Sequence, residues 1–203
     1  MISMESMTAA GKSDLQEAAK DLGKEELLQL VEWLSLKEDN IRYRAFLLLQ
    51  YRSSLSDDVY PYWNTFRDKL KNDNSYQRSI GLMLIAENAK WDAENRMEDT
   101  IDEYLDLLRD EKPVTVRQCI QSLTKVAPYK PGLNRKIAES LISFDLMAVK
   151  ETMRKSILLD ILNLLLTIRN QQNTNEIESF ILTALSGGIL DKKSKRQIEA
   201  AML

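Results

Sequence analysis

Four arginines recur at near-constant spacing along the chain: Arg42, Arg78, Arg117 and Arg154, at steps of 36, 39 and 37 residues. A guanidinium is always charged and presents its N–H donors in a rigid planar fork, so it recognises carboxylates, phosphates and carbonyl oxygens. A row of them serves either as ligand-binding cations or as an internal ladder onto acidic and carbonyl groups of neighbouring turns. The ladder is the expected use. Beside Arg117 and Arg154 stand Gln118, Gln121, Lys125 and Lys155. They fall off the apolar stripes of their helices, where amides and ammonium groups can meet a partner.

Composition closes most other chemistry. The chain has no histidine and one cysteine, Cys119, so a Cys/His zinc site, a Ser-His-Asp triad or a Cys-His pair cannot form. Acid–base work would fall to carboxylates, lysine or tyrosine. Asp57-Asp58 and Asp102-Glu103-Asp106 lack the spacing and glycine of a calcium loop, and no glycine-rich phosphate loop is present. No catalytic residue, metal site or cofactor is therefore expected. Cys119 reads as a small buried residue on a helix. A single cysteine forms no intrachain disulfide, which fits a reducing compartment and a cytoplasmic location. Residues 1–12 lack a signal-peptide core and are expected to be a mobile tail ahead of one domain over 13–203.

The net charge of −3 gives no global attraction to nucleic acid or anionic lipid. Charge is uneven locally. Residues 92–111 hold nine acids against Arg96 and Arg109, while 112–136 hold six cations and no acid. Adjacent opposite patches either steer a charged partner or pair with each other. The densest apolar run, 156–168, is interrupted by Asp160 and Asn163 and is too short to span a bilayer.

Apolar periodicity predicts helices throughout and no strands. A short helix capped by Ser13 and closed by Gly23 precedes one over 24–36, with Leu27, Leu30, Val31 and Leu34 on one stripe. Asp39 is placed to cap the next helix, which turns Ile41, Ala45, Leu48 and Leu49 inward. Ser56 is the cap expected for a helix carrying Val59, Trp63, Phe66 and Leu70. Asn72-Asp73-Asn74 turns into a helix over 75–88, whose Gly81 predicts close helix approach.

Met97 to Leu108 marks the next helix, and Pro113 suits the first turn of its partner, with Val116, Ile120, Leu123 and Ala127 inward. Leu133 to Phe144 leads to a long helix over 149–168, apolar nearly all round and so expected to be covered. The polar linker 170–173 precedes a helix stopped by Gly187-Gly188. Asp191 is the expected cap of a last helix rich in Lys192, Lys193, Lys195 and Arg196. These elements make about five helical hairpins, each able to bury its stripe only by stacking on its neighbours.

An apolar residue, arginine and then a small residue occur at Ile41-Arg42…Ala45, Val116-Arg117…Cys119 and Met153-Arg154…Ser156, with a distorted copy at Gln77-Arg78-Ser79. The pattern resembles HEAT repeats, the two-helix units of armadillo-type α-solenoids, best over 24–168 and more loosely over 174–203. The characteristic proline of the first helix is absent. The resemblance implies an all-α, right-handed α–α superhelix (a HEAT-like solenoid) that holds a protein or peptide on its concave face. A second resemblance is to HEAT-like alkylpurine DNA glycosylases, faintly carried by Trp91-Asp92 and Tyr76-Gln77-Arg78. It implies DNA binding in the groove. A non-enzymatic interaction scaffold with a protein or peptide partner is the expected function; nucleic acid and membrane are not expected partners. Trp33, Trp63 and Trp91 are expected in packing, and the chain's last residues leave open a segment of a larger assembly.

Overall fold

The computed structural model describes residues 11–202, so of the tail expected over 1–12 only Gly11 and Lys12 can be placed. Among the described residues every regular element is helical. Packing divides the chain into two compact units, residues 1–96 and 97–203.

Unit 1 opens with α1 (Lys12–Ala18), which begins one residue before Ser13 because the Asp14 carboxylate accepts the Gly11 N–H at 2.8 Å. Glu26 does the same for Gly23 at 2.9 Å at the start of α2 (Lys24–Trp33). That helix stops three residues short of the expected Leu36. Bonds of the tighter i→i+3 type, Ser35 N–H to Glu32 and Leu36 N–H to Trp33, close its end instead. Glu38, not Asp39, holds the cap position of α3 (Asp39–Leu55).

The largest departure follows α3. Ser56 ends that helix rather than starting the next. Asp58 is drawn to the Arg52 guanidinium at 2.6 Å, and Pro61 lacks the N–H that a continuous helix would need. A 3-10 turn (Tyr60–Tyr62) therefore intervenes before α4 (Trp63–Lys69). Val59, Trp63, Phe66 and Leu70 all reach the core, as their spacing required.

Asn74 caps α5 (Ser75–Asn88) by accepting the Tyr76 N–H at 2.9 Å, and this helix has the expected bounds. Helices α2 with α3, α3 with α5, and α4 with α5 pack on one another in chain order. Gly81 lets α5 lie against α4. A Cβ there would stand 2.6 Å from the Phe66 carbonyl oxygen and 3.1 Å from the Lys69 Cβ.

Unit 2 begins within α6 (Arg96–Asp106), continued by a 3-10 turn (Leu107–Arg109). Then come α7 (Pro113–Val126), α8 (Asn134–Ile142), α9 (Glu151–Arg169), α10 (Asn175–Ser186) and α11 (Lys192–Ala201). Helix α9 is the hub: α7, α8, α10 and α11 all pack against it. Ile157, Leu158, Ile161, Leu162, Leu164, Leu165, Leu166 and Ile168 are buried in consequence. The helix is long and apolar because it has four neighbours. No helix among the described residues is long and apolar enough to cross a membrane.

Gly81→Ala tests the close approach of α4 and α5. Alanine adds about 1 kcal/mol of intrinsic helix preference, but its methyl meets backbone, so a net loss of about 1–3 kcal/mol is expected in denaturant unfolding. Gly132, with nothing within 4 Å of the equivalent position, is the control, and Gly132→Ala should stay within about 0.5 kcal/mol of the parent. Equal stability of the two variants would contradict the close approach.

Candidate partner-binding surface

Three of the four series arginines fold back onto the turn that precedes their own helix. Arg42 donates to the Leu36 carbonyl at 2.9 Å and pairs with Asp39. Arg78, buried, donates to the carbonyls of Asn72 at 2.7 Å and Asp73 at 2.9 Å. Arg154 donates to Val149 and Met147, each at 2.9 Å. Arg117 differs. It reaches 43 residues along the chain to Asp160 on α9, with Nε to Oδ2 at 2.6 Å and Nη2 to Oδ1 at 3.3 Å.

Helices α7 and α9 lie side by side, and their shared outer face contains most of the predicted partner-binding residues. Gln121 is exposed and donates to Asp160 Oδ1 at 3.0 Å, so the buried carboxylate is satisfied from both Arg117 and Gln121. Gln118 is half-buried and donates to Ser122 at 3.2 Å. Lys125 and Asn163 are exposed on the same pair of helices. Lys155 is occupied differently: its ammonium pairs with Asp191, the cap of α11, whose other carboxylate oxygen accepts the Ser194 N–H at 2.8 Å. The structure thus joins Gln121 to Asp160, bonds Gln118 to Ser122, leaves Lys125 exposed one turn further along α7, and assigns Lys155 to holding α11. An equivalent bridge in unit 1 joins Gln50 on α3 to Glu87 on α5 at 2.9 Å.

The opposite charge patches of unit 2 meet each other in part. Lys136 pairs with Asp102 at 2.5 Å and Lys130 with Glu98 at 3.5 Å. On α11, Lys195 donates to the Gly187 carbonyl at 2.9 Å, while Lys192, Lys193 and Arg196 are exposed.

The residues with the faint glycosylase likeness are engaged in unit 1. Trp91 donates its indole N–H to the Ser53 carbonyl at 2.7 Å. Asp92 is buried, accepting the Tyr60 hydroxyl at 2.7 Å and the Arg96 N–H at 2.8 Å. Burial and then that carboxylate push the Tyr60 phenol up to about 12. Gln77 and Arg78 are likewise buried, whereas Tyr76 is exposed. Trp33 and Trp63 are core residues, and so is Cys119, whose thiol burial pushes upward.

Sequence reasoning missed Asp160 as the shared acceptor and Lys69 as a buried cation. Asp160 left a signal, since it is an acid inside the apolar run and lies near one repeat length beyond Arg117 and Gln121. Lys69 left none, because its partners Ser35 and Gln77 lie 34 and 8 residues away.

The Lys155–Asp191 pair has a pH signature. Its hydrogen bond with Lys155, then that with the Ser194 amide, holds the Asp191 carboxyl well below its ordinary value of 3.8. A lowered native pKa gives stability that is present above the unfolded value and lost as pH falls through the native one, here from about pH 5 downward. The protection factors of the α11 amides, exchange rates corrected for their intrinsic pH dependence, should therefore fall in acid. Lys155→Ala should lower them already at neutral pH and weaken the acid dependence. Unchanged α11 protection in that variant would refute the role. No known protein-family model matches this chain, and no curated protein sequence matches it.

Proposed function

We propose that this chain is a HEAT-like repeat module, of the right-handed α–α superhelical kind, that binds an extended segment of a partner protein without catalysis. The observation that carries the proposal is the outer face of α7 and α9. Gln121, Lys125 and Asn163 stand exposed there, above an Asp160 already satisfied by Arg117 and Gln121. Side-chain amides both donate and accept, so they match the alternating N–H and C=O groups of an extended peptide. The helices beneath are fixed by packing, which spares the scaffold the ordering cost that weakens association.

A cytoplasmic setting accords with one buried cysteine and is part of the same proposal. The arginines that a phosphate-binding groove would need are turned inward: Arg42, Arg78 and Arg154 are engaged with carbonyls and Arg117 with a carboxylate. That engagement supports a protein partner over a nucleic acid.

Panning a displayed random-peptide library on the immobilised chain should enrich peptides whose affinity falls roughly tenfold or more in Lys125→Glu, as hot-spot substitutions do, while the helical fold is retained by circular dichroism. Lys155 is unsuited to this test because it pairs with Asp191. Failure to enrich any peptide, or enriched peptides indifferent to Lys125→Glu, would overturn the assignment of this face. Tight binding of a duplex DNA probe that weakens steeply with salt would replace the protein partner by nucleic acid.

A further inference from the structure

Unit 1 buries a cation that no carboxylate answers. Lys69, the last residue of α4, is 7% exposed. Its ammonium donates to Ser35 Oγ at 3.1 Å and to Gln77 Oε1 at 2.7 Å, and among the described residues these neutral acceptors are its partners. Gln77 is fixed in turn by its own bond to the Leu34 carbonyl at 2.8 Å. Taking an ammonium out of water without an anion is costly. Burial, and then the nearby Arg42 charge, lower the Lys69 pKa accordingly.

Both acceptors open onto a cleft of about 440 Å³ where the α2–α3 and α4–α5 turns come together. Its polar walls are donors almost throughout. Asn72 and Asn74 line it, and each has its side-chain oxygen committed to a backbone N–H, of Asn74 and Tyr76 respectively. Each amide NH₂ is therefore left as the group to offer. Lys37 adds a positive charge, while the Arg42 guanidinium is committed to the Leu36 carbonyl and to the one acid of the lining, Asp39, whose side chain is 88% exposed. The Tyr76 ring is 69% exposed, with the Arg42 guanidinium 6.0 Å from its centroid.

We infer that this cleft is an oxyanion site that takes a phosphate monoester. Three kinds of donor line it: the Ser35 hydroxyl backed by Lys69, the two asparagine amides, and the Lys37 ammonium. A phosphate dianion carries more charge and more acceptor oxygens than a carboxylate, so it uses such a set more fully. The volume exceeds that of a phosphate group, and the exposed Tyr76 ring is where the ester's organic part would rest. This site lies in unit 1, on residues other than those of the α7–α9 face, and its occupancy does not depend on the protein partner proposed above. A phosphate monoester reaches such a cleft either as a small molecule or as a phosphorylated side chain of a polypeptide.

The test is titration of the full chain, by ¹H–¹⁵N spectra at constant ionic strength, with inorganic phosphate, phenyl phosphate and an end-capped phosphoserine peptide. Saturable shifts confined to Ser35, Lys37, Asn74, Tyr76 and their neighbours are expected, with phenyl phosphate tighter than inorganic phosphate. Lys37→Ala is an exposed change that leaves the core alone and should weaken binding severalfold. Lys69→Met, of similar volume, should weaken it severalfold by removing the charge behind Ser35, with the helical fold retained by circular dichroism. The unpaired Gln77 Oε1 will lower its melting temperature somewhat, so Lys37→Ala is the cleaner variant. A phosphopeptide bound more tightly than phenyl phosphate would assign the polypeptide source, and the reverse order a small molecule. Shifts that fail to saturate by about 20 mM, where even millimolar binding would be complete, or that persist unchanged in both variants, would overturn the site.

Discussion

The interaction on which this structure depends is the pairing of turn carbonyls with side-chain donors held on the following helix. A helix that ends in a tight turn leaves its last carbonyls without intrahelical partners. Arg42, Arg78 and Arg154 sit at like positions near the starts of α3, α5 and α9 and donate to carbonyls five to seven residues earlier. Each guanidinium thereby locks a turn onto the helix that follows it. The fork has the right shape for this, since it can address two acceptors in one plane. Arg117 is the exception that shows the rule. The turn before α7 is closed by Asp110, whose carboxylate accepts the Lys112 N–H at 2.8 Å, and by Pro113, which has no N–H to satisfy. Its arginine is left to join α7 to α9 through Asp160 instead.

A second set of carbonyls is satisfied by donors 33 to 43 residues along the chain. Arg52 donates to the Ala19 carbonyl at 3.2 Å, Lys90 to Ser54 at 2.7 Å and Trp91 to Ser53 at 2.7 Å. In unit 2, Gln171 approaches the Pro128 carbonyl at 3.4 Å. A cation at a helix C-terminus also meets the negative end of the helix dipole. Donors on later helices thus cap the carbonyls of earlier ones, which ties helices distant in sequence together within each unit. Buried apolar stripes drive the stacking, and these bonds set its register, because an apolar contact can slide where a hydrogen bond cannot.

What was legible in the sequence was local. Caps at Asn74 and Asp191, the proline at the head of α7, the inward stripes and the close approach at Gly81 all depend on neighbours within a few residues or on helical period. Misreadings came where a distant group captured a local signal. Ser56 and Asp58 look like a helix start, but Arg52 takes Asp58 and Pro61 delays α4. Lys155 looks like a free cation on a second helix, yet Asp191 lies against it, 36 residues on. The candidate surface was legible only to the extent that Gln118, Gln121 and Lys125 fall off the apolar stripe. That Asp160 holds Gln121 required the packing of α7 on α9.

Several arginines of this fold are spent on carbonyls and several acids on neighbouring cations, so the polar groups that remain are informative. Two places among the described residues stand out. On α7 and α9 there is an amide-rich surface above a satisfied carboxylate. In unit 1 there is a set of donors around a buried ammonium with only neutral acceptors. The second is the more costly. A methionine at position 69 would fill similar space without the desolvation of a charge, at the cost of leaving the buried Gln77 Oε1 without its donor. Lys69 contributes to the stacking of α4 and α5 on the α2–α3 turn through Ser35 and Gln77, but neutral hydrogen bonds of that kind do not need a full positive charge. The charge becomes favourable only when an anion enters the cleft in front of it. The same network that fixes the hairpins then also sets the electrostatic potential of that cleft.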